Sequence, residues 1–272
     1  MNDRPDGAGL EPLPRRMSGR MSDLDVDGLL ADPSRKQDFV TPMFDTIAPK
    51  YDRFTRIFSF GMDARWKRLA IDAAVSEARQ TGAVRHALDL ASGTGDLAVG
   101  IAHSLPEVRV TAIDASPQMI NAFGERLLGA DADVAAQITA RVGDMTRLDV
   151  PDRSVELLTA GYGVRNVPDY RRAIAEMARV SRPDATLVTL DFYRPANAIW
   201  RKVLLTYLAV AGNAVGWLWY RDPVIYGYIA KSIDQFVSWQ EFSALLEDEG
   251  FAVSSVRRFL GGGIAVHVAH RR

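Results

Sequence analysis

The sequence predicts an α/β fold in which a doubly wound, mostly parallel sheet ends in an antiparallel hairpin. Short apolar runs alternate with helical stretches through the middle of the chain, a pattern typical of parallel strands joined by crossover helices. A glycine-rich turn separates the first apolar run from a helix, as expected in such a sheet. The last two runs are joined by Gly261–Gly263, a connection short enough for a hairpin.

The elements follow from local signals. An N-cap and a helix-starting proline stand at Ser116-Pro117, a second N-cap is expected near Asp169, and Ser238 with Glu241 forms a capping-box pattern. Gly250 stands where a helix-ending glycine belongs. The predicted strands are His86–Leu90, Val108–Asp114, Ile138–Val142, Val155–Tyr162, Thr186–Phe192, Phe251–Leu260 and Ile264–His270.

The chain divides into three predicted regions. Residues 1–37 are rich in Pro, Gly, Asp and Arg without an apolar period, which predicts a disordered tail. Residues 38–80 are predicted as an N-terminal helical cap, with two or three short helices, because apolar residues recur at helical spacing with breaks at Pro49 and Ser59–Gly61. Residues 81–272 carry the alternating strands and helices, with an apolar insertion at about 196–237.

The composition restricts the function. The 272 residues include 33 Lys and Arg against 34 Asp and Glu, so there is no basic excess to neutralise a nucleic-acid backbone. The absence of cysteine excludes disulfides, Fe–S clusters, Cys-based zinc sites and a thiol nucleophile. The histidines show no metal-ligand spacing, so we expect neither nucleic acid nor metal as a partner.

The sharpest motif is the glycine loop that follows the first strand. It runs from Asp89 through Gly93, Thr94 and Gly95 to Asp96, and Asp114 ends the next strand. Glycines in such a turn let the backbone approach a ligand, and an acid at the end of the second strand is placed to bind a ribose diol. An ordinary strand-to-helix turn would explain the glycines but not the acidic residues at one edge of the sheet.

Two classes of ligand compete for this loop. The glycine spacing passes loosely as a dinucleotide fingerprint, but Asp89 and Asp96 would repel a pyrophosphate. The same carboxylates suit S-adenosylmethionine (SAM), which carries a sulfonium, an ammonium group and a ribose but no phosphate. Asp144, after the third strand, is an expected contact of the adenine amino group, although an Asp after Gly is also common in turns.

In these motifs the sequence resembles the class I SAM-dependent methyltransferases, which share a Rossmann-like sheet. More narrowly, it resembles the family that C-methylates the ring of ubiquinone and menaquinone precursors. The motifs span about Phe39 to His270; they are Phe44–Asp52, Ser59–Gly61 with Trp66–Arg68, Asp89–Asp96, Tyr162–Val167, Leu190–Pro195, Tyr226–Ile233 and Gly262–Ile264.

The resemblance implies SAM contacts at Thr94, Asp114, Asp144, Met145 and Gly161. With the loop residues Asp89, Gly93 and Gly95, and with Tyr51 in a helical lid, they make up the expected cofactor site. The chain departs from the family at Gly161, where a serine is familiar, and at Arg182–Ala185, where Pro-Gly-Gly is usual. His267 does not keep the family's spacing and is given no role. The lid aromatics have a second interpretation, as ordinary core at helical spacing.

Arg165 and Asn166, after the fourth strand, are the expected catalytic pair. Arg165 would stabilise a phenolate of the acceptor, and Asn166 would orient a ring oxygen or a water. By spacing alone the pair could equally cap the following helix, and the resemblance favours catalysis. The identity of the general base stays open between a bound water and a carboxylate.

Val203 to Tyr220 contains no charged residue and lies between the fifth and sixth strands. A membrane span there would split the sheet, so three interpretations are kept. The segment covers an isoprenoid tail, lies at the membrane interface, or forms core and a dimer surface. We therefore expect a cytoplasmic protein, with membrane association and a homodimer as open alternatives.

The sequence-based hypothesis is a SAM-dependent C-methyltransferase of a prenylated quinol, of the demethylmenaquinol or polyprenyl-benzoquinol type, in respiratory quinone biosynthesis. One alternative is a methyltransferase of the same fold that acts on another phenolic or lipid acceptor. The other is a binding or scaffold protein that keeps the fold without activity.

Overall fold

The fold is described from a computed structural model that covers Gly28, residues 33–82 and residues 84–272. Its centre is a seven-stranded sheet with the strand order β3-β2-β1-β4-β5-β7-β6. The strands are β1 His86–Leu90, β2 Arg109–Asp114, β3 Ile138–Val142, β4 Val155–Gly161, β5 Ser181–Phe192, β6 Phe251–Phe259 and β7 Ile264–Arg271.

The α-helices of the described residues from Pro33 onwards flank or cap this sheet. They are α1 Pro33–Ile47, α2 Tyr51–Phe58, α3 Met62–Thr81, α4 Asp96–Ser104, α5 Pro117–Leu128, α6 Ala132–Gln137, α7 Tyr170–Val180, α8 Ala198–Tyr220, α9 Val224–Gln235 and α10 Trp239–Asp248. The expected caps are present. Ser116 accepts a hydrogen bond from the Met119 amide, Asp169 accepts one from the Arg172 amide, and Ser238 and Glu241 form the capping box.

The sheet topology confirms the predicted fold class. Strands β1 to β5 run parallel, and β7 inserts antiparallel between β5 and β6. From β1 the sheet extends through β2 to one side and through β4 to the other, so the connections diverge beside β1. In open parallel sheets a ligand binds at such a switch point, outside the carboxyl ends of the strands. The site residues that follow β1, β2, β3 and β4 therefore meet at one edge.

Strand β5 begins five residues earlier than the sequence predicts, at Ser181 rather than Thr186. Ser181 pairs with Val155, and Thr186 pairs with Leu157, so the residues between them bulge out of the ladder. Asp184 in this bulge has a positive φ of 64°. The departure from the family pattern at Arg182–Ala185 is thus accommodated at an irregular strand start, at the end of β5 opposite the site.

The N-terminal boundaries also differ from the prediction. Helix α1 begins at Pro33, inside the stretch assigned to the tail, because Phe39, Val40 and Met43 give it an apolar face that is buried. Except for Gly28, the rest of the predicted tail lies outside the described residues, and its disorder stays a prediction. Helix α3, which was assigned to the cap, instead packs on the sheet through Trp66 and its alanines.

The cap is built from distant parts of the chain. Helices α1 and α2 share one apolar cluster with α8 and α9, which form the insertion. Within it the rings of Phe54 and Tyr226 stack with centroids 3.6 Å apart. The insertion is therefore partly core, since one face of α8, with Leu204, Leu208 and two glycines, is buried in the cap. The cap and the carboxyl edge of the sheet enclose the site.

Replacing Gly95 with Ala should destabilise the protein by about 2 kcal/mol or more. Gly95 has a φ of 86°, and a Cβ there would lie 2.1 Å from the Phe123 ring. Gly124→Ala is the matched control, because a Cβ at this helical glycine meets nothing within 4 Å. We expect urea denaturation to show a loss for Gly95→Ala and no loss for Gly124→Ala; equal stabilities would contradict the packing described here.

Candidate active site

The glycine loop connects β1 to α4 through two glycines with left-handed backbone. Gly93 has a φ of 55° and Gly95 a φ of 86°, conformations that residues with a Cβ rarely adopt. The Gly93 amide donates a hydrogen bond of 2.8 Å to Oδ2 of Asp114, which ends β2. The loop and the end of β2 are thereby fixed against each other at the switch point.

Asp89 is buried at the carboxyl end of β1. Its Oδ1 accepts a hydrogen bond from the Thr159 hydroxyl at 2.7 Å, and its Oδ2 accepts one from the Ala98 amide at 3.1 Å. Burial raises the pKa of Asp89 to about 7, since a charged group in a low-dielectric environment loses solvation. A positively charged ligand at this position would favour the ionised carboxylate.

Asp114 is in a similar state. Its two oxygens accept hydrogen bonds of 2.8 Å from the Gly93 and Ser116 amides. Burial still raises its pKa to about 6, against the effect of these hydrogen bonds. Each oxygen keeps acceptor capacity for a further donor, such as a ribose hydroxyl.

Asp96, which was expected to repel a pyrophosphate, is paired with two cations of the protein. It forms ion pairs with Lys67 at 2.7 Å and with Arg126 at 2.5 Å. Burial opposes its ionisation, but these two cations hold the pKa of Asp96 below its usual value. Its charge is therefore compensated within the protein, and the case for a cationic ligand rests on Asp89 and Asp114.

Three adjoining cavities lie between the cap and the sheet. The cofactor cavity is bordered by Gly93, Asp114, Met145 and Asn166 among others. The loop cavity lies beside Asp89 and Thr94. The aromatic cavity is lined by aromatic side chains of the cap and by Arg165. Tyr51 and Tyr162 border all three.

The structure brings most of the expected cofactor residues together. The cofactor cavity is bordered by Tyr51, Gly93, Asp114, Asp144, Met145 and Gly161, and the loop cavity by Tyr51, Asp89, Gly93, Thr94 and Gly161. Gly95 lines neither cavity; it packs against Phe123 and shapes the turn. Asp144 is exposed and accepts hydrogen bonds from the Thr146 amide and hydroxyl, so the turn role is realised at a residue that also borders the cavity.

Arg165 and Asn166 face different cavities. Arg165 is 6% exposed and borders the aromatic cavity, where Nη1 donates to Asp191 Oδ1 at 2.7 Å and to the Tyr162 carbonyl at 2.8 Å. Its Nε is buried without a hydrogen-bond partner. Asn166 borders the cofactor cavity, donates to the same carbonyl at 2.9 Å, and accepts from the Tyr228 hydroxyl at 2.5 Å.

Sequence reasoning missed several residues that hold this pair. Asp191 is fully buried. Its carboxylate orients Arg165 by accepting hydrogen bonds from the Arg165 guanidinium and from the Arg165 backbone amide. Lys36, in the stretch assigned to the tail, donates to the carbonyls of Arg165 at 2.8 Å and Val167 at 3.0 Å. Asp191 sits at the end of β5, as Asp114 does at the end of β2, and this position was the available signal. No local signal marks Lys36.

The lid is tied to the loop by side-chain hydrogen bonds. Thr94 donates to Asp52 of α2 at 2.8 Å, and Ser116 donates to Asp45 of α1 at 2.5 Å. Tyr51 lies between these contacts, and burial raises its pKa to about 12, so it stays a neutral phenol. Helices α1 and α2 thus form part of the core and also line the cavities, and their role as a lid over the donor stays a prediction.

A model of the ubiE/COQ5 methyltransferase family matches residues 33–271 of the chain. The chain belongs to this family. It is 34% identical over 237 residues to the demethylmenaquinone methyltransferase of Paenarthrobacter aurescens, covering 87% of this chain and 88% of that protein. It is 33% identical over 226 residues to the ubiquinone/menaquinone biosynthesis C-methyltransferase UbiE of Syntrophotalea carbinolica, covering 83% and 91%.

Solved structures agree on the fold. The magnesium protoporphyrin IX methyltransferase of Synechocystis, with bound SAH, aligns with a TM-score of 0.60 at 16% identity, over 87% of this chain and 100% of that one. The family member described here is accordingly an S-adenosylmethionine-dependent methyltransferase with SAM as co-substrate. The donor set fits SAM: carboxylates at the ends of β1 and β2 with a bare glycine backbone between them, and, among the described residues, no Lys or Arg bordering the cofactor cavity. Lys67, which borders the loop cavity, is paired with Asp63 and Asp96. Among the described residues no cluster of His, Asp and Glu is arranged to hold a metal.

SAM affinity should weaken as the pH falls from 8 to 6. Asp89 and Asp114, with pKa values of about 7 and 6, take up protons in this range, and a neutral acid attracts a cation less. Because both pKa values are raised by folding, the same groups stabilise the ligand-free fold in acid, and that contribution is lost as the pH rises through 6 and 7. Calorimetric titration with SAM, together with urea denaturation, measures both effects.

Asp89→Asn tests the assignment. An amide keeps acceptor and donor groups for Ala98 and Thr159 but carries no charge, so SAM should bind about tenfold more weakly at pH 8 and with a flatter pH dependence. The unfolding free energy at pH 8 should stay level or rise. Asp149→Asn, at a fully exposed surface position, is the control. Wild-type SAM affinity in Asp89→Asn would remove Asp89 from the cofactor site.

Proposed function

We propose that this methyltransferase acts on the ring carbon of a prenylated quinol in respiratory quinone biosynthesis. The observation that carries the proposal is the aromatic cavity, which adjoins the cofactor cavity and has Arg165 as the one cation among the described residues of its wall. The printed names of the relatives, which are demethylmenaquinone and ubiquinone/menaquinone methyltransferases, support a quinone-type acceptor.

The aromatic cavity suits a planar ring that bears oxygens. Phe44, Phe54, Phe192 and Tyr226 supply flat apolar walls. The Tyr162 and Tyr226 hydroxyls and Arg165 Nε are buried at residues that line it, and Nε has no hydrogen-bond partner. Buried polar atoms are costly unless they are bonded, so these groups are suited to the oxygens of an acceptor.

A row of aromatic rings leads from this cavity to the surface. Tyr226 stacks on Phe54 at 3.6 Å, Phe54 stacks on Phe58 at 4.8 Å, and Tyr207 of α8 lies 6.3 Å from Phe58. The row ends at Phe60, which is 78% exposed and 6.2 Å from Tyr207. This path offers an isoprenoid tail continuous apolar contact from the ring site to the outside.

The protein must activate the ring of the acceptor for attack on the methyl group of SAM. SAM supplies a methyl group on a sulfonium, and the acceptor must supply an electron-rich carbon. Arg165, which stays protonated, stabilises the negative charge of a phenolate oxygen and thereby raises the electron density of the ring. Asp191 keeps the guanidinium in place, and the cap excludes water, which strengthens this electrostatic effect.

The function is tested with purified protein, labelled SAM and a panel of acceptors. Demethylated benzoquinols and naphthoquinols should become methylated at carbon, with products identified by mass. Other phenols and lipids in the panel cover the alternative acceptors. Transfer only to those compounds would overturn the quinol assignment, and SAM binding without transfer to any acceptor would favour a binding protein.

Arg165→Lys should lower kcat about 100-fold and leave SAM affinity within twofold of the wild-type value. Lysine keeps the ion pair with Asp191 but lacks the planar donors that stabilise the oxyanion, a loss of roughly 10²–10³ in rate for one such donor. Arg182→Lys, on the surface beside Glu156, is the matched control. Turnover at the wild-type rate in Arg165→Lys would exclude Arg165 from the mechanism.

We also propose a peripheral contact with the membrane surface through the outer face of α8. Of the described residues, this helix alone is long and apolar enough to span a bilayer, yet it is joined through the cap to the sheet. Its outer face carries exposed Ile199, Val203 and Val210, with Phe60 beside Tyr207 of the same helix. Exposed Lys202 borders this face, and exposed Arg53 lies over the ring of Trp219 near the end of α8. An apolar face with a basic rim suits an anionic lipid surface.

Val210→Glu should reduce co-sedimentation with anionic liposomes without changing SAM affinity. Val210 is 65% exposed on the proposed face, so a charge there opposes insertion while the fold is preserved. Leu128→Glu, at a site 90% exposed on the far end of α5, is the control. Equal sedimentation of both variants and the wild type would refute the contact, and a dimer in solution that Val210→Glu separates would assign the face to a second copy.

A further inference from the structure

Of the described residues that line the aromatic cavity, Asp63 of α3 is the one with a carboxylate. Asp63 is 8% exposed and lies in the first turn of the helix, where its amide donates a hydrogen bond of 3.0 Å to the Ser59 hydroxyl oxygen. Arg165 borders the same cavity. The acceptor site therefore has one fixed anion and one fixed cation in its wall.

Asp63 also begins a chain of charged groups that leads out of the cavity. Its Oδ2 pairs with Lys67 Nζ at 2.8 Å, and Lys67 pairs with Asp96 at 2.7 Å. Asp96 in turn pairs with Arg126, a partly exposed residue of α5. Lys67 is shared between Asp63 and Asp96. When Asp63 becomes neutral, Lys67 therefore keeps Asp96 as a partner for its positive charge.

The phenol of Tyr162 lines the same cavity as the Asp63 carboxylate. Burial, then the charge of Asp63 and a hydrogen bond with Asp63, raise the pKa of the Tyr162 phenol well above its ordinary value. Arg165 cannot give up its proton, and the buried tyrosines of the wall are poor proton acceptors. Among the described residues that line the cavity, Asp63 carries the carboxylate, and a carboxylate can act as a general base.

Methylation at a ring carbon requires such a base. When the C–C bond forms, the S–CH₃ bond breaks and the sulfonium becomes a neutral thioether. The methylated carbon still holds its ring hydrogen, and the aromatic ring is restored when this hydrogen leaves as a proton and its bonding pair returns to the ring. One proton is thus released for each methyl group transferred.

We propose that Asp63 is the catalytic base that accepts the proton released from the acceptor ring. The assignment rests on the proposed transfer to a quinol carbon and adds the proton acceptor to it. Arg165 and Asp63 then act on the same ring from one cavity, the first on an oxygen and the second on a hydrogen. Lys67, held by Asp96, keeps the Asp63 carboxylate in position between turnovers.

Asp63→Asn is the decisive variant, because its amide oxygen still accepts from Lys67 but cannot take a proton at neutral pH. We expect kcat to fall about 100-fold, as for the loss of a general base, with SAM affinity unchanged. A primary isotope effect with an acceptor deuterated at the methylated carbon should appear in the variant, because proton removal becomes rate-limiting. Asp72→Asn, which removes an exposed acid from the same helix, is the matched control and should behave as wild type.

Asp63→Glu separates chemistry from folding, since it keeps a carboxylate and should retain more turnover than Asp63→Asn. Wild-type kcat in Asp63→Asn, a lower kcat without any isotope effect, or equal loss in the Glu and Asn variants would each overturn the assignment. A wild-type enzyme that methylates none of the quinols would refute the proposed function itself. Quinol transfer that is insensitive to Asp63 would refute the base alone.

Discussion

Burial of two carboxyl groups at the carboxyl edge of the sheet is the constraint on which the site depends. Asp89 and Asp114 are held by backbone amides and a threonine hydroxyl in positions where ionisation is costly. That cost is offset when a cation and a ribose occupy the adjoining cavities. The fold thus keeps acidic groups in a state that favours a positively charged, phosphate-free ligand over an anionic one.

The aromatic cavity depends on the ion pair between Arg165 and Asp191. Arg165 would be unfavourable in an aromatic cavity without Asp191, which neutralises it and fixes its direction. Helix α1 adds to this by binding the carbonyls around Arg165 through Lys36, whose pKa falls to about 8 because of its burial. Arg165 is thus held by β5 through Asp191 and by α1 through Lys36, so its position depends on both the sheet and the cap.

Strands and caps could be read from the sequence because they depend on local patterns. His86–Leu90 and Ile138–Val142 coincide with the observed strands, and the helix starts at Ser116 and Ser238 follow from neighbours within one turn. The ion pairs of Asp96 could not be predicted, since its partners Lys67 and Arg126 stand far away in sequence. Helix periodicity likewise could not show that α3 faces the sheet while α2 faces the insertion.

The cavities open toward environments of opposite polarity. The cofactor cavity is bordered by the exposed Asp144, whereas the row of rings beyond the aromatic cavity ends at Phe60 and the outer face of α8. With the proposed quinol acceptor and membrane contact, the demethylated nucleoside would leave toward water and the prenylated product toward lipid. The isoprenoid tail would then stay in hydrocarbon throughout the reaction and avoid the free-energy cost of crossing the aqueous phase.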